Sequence, residues 1–142
     1  MNKIIEQNIG LPWIEKYRPS NTQEILLDSF LLEKIYKIIE TKSIPNMILT
    51  GEPGTGKTST ILIIAKSIYI NNYHENVLEL NASDDRGLSI INNTIIPFCQ
   101  KMTSDSEKLI ILDEADSITN KAQNLLSNII AEYKKNCRFV FI

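Results

Sequence analysis

The sequence predicts an α/β fold, a parallel sheet with helices on its faces. Two patterns point to it. Short apolar runs alternate with segments whose apolar residues recur at helical spacing, in the order βαβαβαβ. That alternation requires parallel strands joined by helical crossovers. A glycine-rich loop also joins the first apolar run to the first such helix, an arrangement that places backbone N–H groups at a helix N-terminus.

Residues 1–10 are expected to be flexible, with one domain over 11–142. Prolines at Pro12 and Pro19 oppose a regular helix across Leu11–Pro19, although Trp13 and Tyr17 call for packing there. Asp28 is the expected N-cap of a helix whose Leu31, Leu32, Ile35, Ile38 and Ile39 share one face. The first strand falls near 46–50 and runs into glycine. A helix from Lys57 aligns Ile61, Ile64, Ala65 and Ile68. The second strand falls near 77–81, and a polar turn, Asn81 to Gly87, follows it. The next helix aligns Leu88, Ile91, Ile95 and Phe98, and Pro97 is expected to kink or end it. The third strand, near 108–112, is apolar throughout, as strands buried on both faces are. Thr119 caps a last helix that turns Leu125, Leu126, Ile129 and Tyr133 inward, and a fourth strand falls near 138–142. Because the sequence stops inside that apolar strand, the domain is expected to be incomplete.

Composition narrows the function. The 142 residues carry 15 Lys and Arg against 17 Asp and Glu, a net charge of −2, which excludes a polybasic tail protein. Two cysteines, Cys99 and Cys137, and one histidine, His74, cannot make a Cys/His zinc site or a disulfide scaffold. Both cysteines read as small core residues and His74 as a solvated loop residue. No stretch approaches the roughly 20 apolar residues of a membrane span, and no secretory signal opens the chain. An intracellular chain without membrane partners is expected.

The chemistry lies in two places. Gly51-Glu52-Pro53-Gly54-Thr55-Gly56-Lys57-Thr58 matches G-x-x-x-x-G-K-[ST] between a strand and a helix. Its glycines let the chain curl so that consecutive N–H groups face phosphate oxygens. Lys57 reaches the β- and γ-phosphates of a nucleotide, and the Thr58 hydroxyl takes a Mg²⁺ position. The second place is Asp113-Glu114, at the C-terminal tip of the third strand, where open parallel sheets bind ligands. Asp113 is the second Mg²⁺ residue. Glu114 polarises the attacking water and, with Lys57, forms the catalytic pair.

Four stretches then point one way. Leu11-Pro12-Trp13-Ile14-Glu15-Lys16-Tyr17-Arg18-Pro19, the phosphate loop, Leu78-Glu79-Leu80-Asn81-Ala82-Ser83-Asp84-Asp85-Arg86-Gly87, and Ile111 to Thr119 together resemble the small subunits of replication factor C, the AAA+ clamp loaders. The resemblance implies a P-loop NTPase fold of AAA+ type, truncated here after the fourth strand, with strand order 2-3-4-1 and the fifth strand, lid and collar absent. It implies a subunit of a hetero-pentamer that uses ATP to open a sliding clamp and place it on primed DNA, in the nucleus if the source is a eukaryote. Ile14, Arg18 and Leu26 would line the adenine side, with Gly51 to Ser59 around the phosphates, and Leu11–Pro19 would fold over the nucleotide. Phe98 and Met102 are candidates for clamp contact, with core packing favoured for Phe98. Where the family carries basic residues on two DNA-facing helices, this chain has Asn92, Thr94, Ser127 and Asn128. Each missing cation removes a phosphate contact, so direct DNA contact is expected to be weak.

Two other functions compete. Asp113-Glu114-Ala115-Asp116 also spells the DEAD signature of helicases, but Ser117-Ile118-Thr119-Asn120 follows, with no Ser-Ala-Thr downstream. The other is a truncated, non-catalytic scaffold of the clamp loader. The intact Lys57, Thr58, Asp113 and Glu114 favour an active site over that scaffold.

Overall fold

The computed structural model describes residues 19, 21–25, 27–83, 88–101 and 107–142. Four strands form one sheet: β1 (Met47–Ile48), β2 (Val77–Asn81), β3 (Lys108–Asp113) and β4 (Cys137–Phe141). Their spatial order is β1-β4-β3-β2, and every pairing is parallel. This is the expected 2-3-4-1 order. β1 is shorter than its apolar run, with two paired residues. The pairing extends at both ends by other means. Leu49 N–H donates to the Phe141 carbonyl at 2.8 Å, and the Asn46 side-chain carbonyl accepts the Phe139 N–H at 2.8 Å.

Helices cover both faces. α1 (Ser29–Thr41) starts at Asp28, whose carboxylate accepts the Leu31 N–H at 2.9 Å, the cap its sequence predicts. α2 (Lys57–Ile68) follows the glycine loop, and the short α3 (Tyr73–Asn76) carries the exposed His74. α1 and α2 close one core, in which Ile35, Ile44, Ile61 and Ile64 meet Leu109, Ile111 and Val140 of the sheet. α6 (Asn120–Glu132) and the helix after the polar turn close the other. There Ile91, Ile95, Leu126 and Ile129 meet Ile110, Leu112 and Phe139. Alternation along β3 and β4 sends successive side chains to opposite cores.

The helix over 88–100 departs from expectation at Pro97. It neither ends nor breaks there. α4 (Leu88–Ile90) passes into a π segment (Ile91–Ile95) and then into α5 (Ile96–Gln100), with Ile96 N–H bonded to the Ile91 carbonyl. The wider turn relieves the clash that a proline ring makes with the carbonyl four residues back. Pro97 then stands in the first turn of α5, where a missing N–H costs little.

Cys99 and Cys137 are buried and free in the second core, as expected. Hydrogen bonding to Cys137 and burial push the Cys99 thiol up. Phe98 is half-buried against the same core. Lys108, with 2 % of its surface exposed, reaches from the start of β3 to cap α5. Its ammonium donates to the Phe98 carbonyl at 2.6 Å and to the Lys101 carbonyl. Met102 lies outside the described residues.

Candidate nucleotide site

The parallel sheet brings its functional residues to the C-terminal ends of β1, β3 and β4. Between β1 and α2 the loop needs left-handed backbone at Gly54 (φ +79°) and Gly56 (φ +85°), a conformation glycine adopts without penalty. Gly56 is also the N-cap of α2, so the helix opens with free N–H groups and its positive dipole end facing the loop. Thr55 braces the turn by donating to the Glu52 carbonyl at 2.9 Å. The Lys57 ammonium donates to the Gly51 and Glu52 carbonyls, each at 2.9 Å. Glu52 thus takes part through its carbonyl.

One bond joins the two motifs. The Thr58 hydroxyl donates to Asp113 Oδ2 at 2.9 Å, across 55 residues of sequence. It sets a hydroxyl and a carboxylate side by side, the hard oxygen pair that Mg²⁺ takes together with water. The other Asp113 oxygen, Oδ1, accepts the N–H of Glu114 at 2.9 Å. Glu114 is exposed at the tip of β3 with left-handed backbone, φ +54° and ψ +42°.

These residues open into a cleft of about 980 Å³, large enough for a nucleotide. Gly51, Pro53, Gly54, Thr55, Gly56, Lys57, Thr58, Ser59, Asp113 and Glu114 all line it. So does Pro19, the end of the Leu11–Pro19 stretch, and so do Ile25, Ile48, Phe141 and Ile142, an apolar wall that motif reading did not name. Ile25 and Ile48 carry no motif of their own, and only the 2-3-4-1 strand order could have placed the end of β4 beside the loop. Ile14, Arg18 and Leu26, and all but Pro19 of the Leu11–Pro19 stretch expected over the nucleotide, lie outside the described residues.

A strand–glycine loop–helix unit facing a Thr–Asp oxygen pair defines a P-loop nucleotide-binding protein. The AAA family, "ATPase family associated with various cellular activities", matches residues 47–142. The chain belongs to the AAA family of ATPases. It is 46 % identical over 137 residues to the probable replication factor C subunit 5 of Dictyostelium discoideum, covering 94 % of this chain and 40 % of that protein. It is 47 % identical over 132 residues to replication factor C subunit 3 of Saccharomyces cerevisiae, covering 92 % of this chain and 39 % of that one. Against human replication factor C subunit 5 the identity is 46 % over 136 residues, 94 % and 40 % of the two chains. The chain therefore spans about two-fifths of the length of the curated relatives it matches. Among solved structures, a RuvB variant of Thermotoga maritima shares the fold, with a TM-score of 0.61 at 20 % identity over 87 % of this chain and 40 % of that one. Among the described residues, no helix is long and apolar enough to cross a membrane.

Proposed function

We propose that residues 11–142 form ATPase domain of a clamp-loader subunit, which binds ATP with Mg²⁺ and joins sibling subunits in a hetero-pentamer that opens a sliding clamp and loads it on primed DNA. The observation that carries the nucleotide reading is the 2.9 Å bond from Thr58 to Asp113, because it holds the loop hydroxyl against the strand-tip carboxylate, the two oxygens that would hold the cation. The clamp-loader reading rests on the identity to replication factor C subunits at 46–47 %.

In this reading the loop N–H groups and the α2 N-terminus hold the phosphates, and Lys57 leaves the Gly51 and Glu52 carbonyls to pair with the terminal phosphates. Mg²⁺, when bound at Thr58 and Asp113, neutralises charge on the phosphate oxygens. Glu114 orients and polarises the attacking water from the lip of the cleft. Ile25 and Pro19 offer an apolar surface beside the base. Asn92, Ser127 and Asn128 are exposed and neutral, so primed DNA is met through the assembly more than through this chain. Such an assembly works inside the cell, in the nucleus where the source is a eukaryote.

Glu114→Gln tests the assignment. With sibling subunits, clamp and primed DNA present, ATP affinity should stay at the wild-type value while hydrolysis falls by roughly 10²-fold or more. Loss of binding in Glu114→Gln would overturn the water-polarising role. A wild-type chain that enters the pentamer without turning over ATP would favour the scaffold instead.

A further inference from the structure

Among the described residues, two that are not glycine have positive φ. Lys42 is one, at the C-cap of α1, where a left-handed residue is commonplace. Glu114 is the other, and it ends no helix. An L-residue held left-handed is strained, and the conformation persists where neighbours over-determine it.

Here the neighbours are identifiable. The Glu114 N–H donates to Asp113 Oδ1 at 2.9 Å. Its carbonyl accepts twice from one residue, from Ser117 N–H at 3.0 Å and from the Ser117 hydroxyl at 2.8 Å. The following amide, Ala115 N–H, donates to the Ile142 carbonyl at 2.8 Å. Of these four bonds, two run between backbone groups and one belongs to Asp113, already assigned to the metal position. The Ser117 hydroxyl is the remaining side-chain contact. Ser117 is half-buried and does not line the cleft, whereas Asp113, Glu114, Ala115 and Asp116 do.

We propose that Ser117 is a positioning residue for hydrolysis: its hydroxyl clamps the Glu114 carbonyl and so fixes the left-handed backbone that aims the Glu114 carboxylate into the cleft. The proposal rests on Glu114 as the water-polarising residue. Rotation of Glu114 to right-handed or extended backbone would redirect its Cα–Cβ bond and carry the carboxylate away from the phosphates. Removing the hydroxyl leaves one bond on that carbonyl where there were two, and the aimed conformer becomes less populated. Nucleotide contacts are untouched, because none of them passes through Ser117.

The test compares the full chain with Ser117→Ala and Ser117→Thr, each assembled with sibling subunits and clamp. Ser117→Ala should lower kcat roughly 3- to 10-fold, the range of one neutral hydrogen bond, with ATP Kd and KM at wild-type values and Tm lowered by no more than about 6 °C. Ser117→Thr, which keeps the hydroxyl, should restore kcat. A second readout needs no turnover: in the isolated chain, Ser117→Ala should move the Glu114 backbone chemical shifts away from left-handed values and speed amide exchange at Ala115. An unchanged kcat in Ser117→Ala overturns the proposal whatever the shifts do. So does a rise in ATP Kd and KM, or a fall in Tm of more than about 6 °C, alongside the loss of kcat, which would make Ser117 a merely structural residue. If the wild-type assembly hydrolyses no ATP, the reading of Glu114 is what fails, and unmoved Glu114 shifts would then overturn the clamp as well.

Discussion

Gly56→Ala isolates what the loop demands of its backbone. At φ +85° and ψ +14° Gly56 is left-handed, and a Cβ added there meets no heavy atom within 4 Å. The substitution therefore causes no collision, and its whole cost is conformational. That cost is roughly 1–2 kcal/mol for an L-residue in this region. In a domain of about this size each kcal/mol moves the thermal midpoint by roughly 2–4 °C, so the midpoint should fall by roughly 2–8 °C. Relaxing φ to a negative value would recover the strain but turn the Lys57 and Thr58 N–H groups away from the phosphates. ATP affinity should then drop by about tenfold or more, since each charge-assisted bond lost is worth about 1.5 kcal/mol. Urea denaturation and titration with a fluorescent ATP analogue read the two effects separately. D-Alanine introduced at the same position by chemical ligation suits positive φ and should restore both. Wild-type stability and affinity in Gly56→Ala would refute the reasoning, because the left-handed turn would then be dispensable.

Three further outcomes are expected. Lys57→Ala removes an ammonium that grips the Gly51 and Glu52 carbonyls and should weaken ATP binding by roughly 10- to 150-fold in calorimetry. Thr58→Val keeps the shape but not the hydroxyl that donates to Asp113; nucleotide binding should then need more Mg²⁺ to saturate, while binding measured in EDTA stays at the wild-type level. Tyr69 is 7 % exposed, and burial, reinforced by the nearby Glu107 charge, pushes its phenol up from 10.0 to about 12. Between those values the unfolded chain loses the proton and the folded chain keeps it, so stability should fall as pH rises from 10 to 12, and Tyr69→Phe should flatten that limb of the denaturation profile.

What the sequence made legible was local chemistry in a repeated context. Gly54, Gly56, Lys57 and Thr58 stand together and announce a phosphate loop, and Asp113-Glu114 ends a run too apolar to be anything but a buried strand. The caps at Asp28 and Thr119 likewise depend on one residue and its near neighbours, and both form. The misses share a different origin. Pro97 correctly signals a disturbed helix, but its form, a π turn from Ile91 to Ile95, is decided by how Ile91, Ile95 and Cys99 must all reach one core. Ile63 is buried with Ile61 and Ile64, outside the single face expected of α2. The left-handed Glu114 has no signature at all: its local bonds to Asp113 and Ser117 combine with the bond from the next amide, Ala115 N–H, to the Ile142 carbonyl, which exists only after β3 and β4 have paired.

β3 reads Leu109-Ile110-Ile111-Leu112, and both its neighbours are strands with apolar faces. A slide of one residue would exchange every side chain between the two cores, yet would put one branched aliphatic where another had been. Oiliness alone is therefore nearly blind to the alignment of the central strand. Its two ends are not. At one, the Lys108 ammonium must find the Phe98 carbonyl inside the protein. At the other, the Asp113 carboxylate must find the Thr58 hydroxyl. Displaced by a single residue, the lysine would be left with a buried charge and no acceptor, and the aspartate would face away from the loop. The polar termini thus act as dowels that lock a smooth rod at one setting, and the Thr58–Asp113 pair that joins the loop to the strand tip also keeps the middle of the sheet in step.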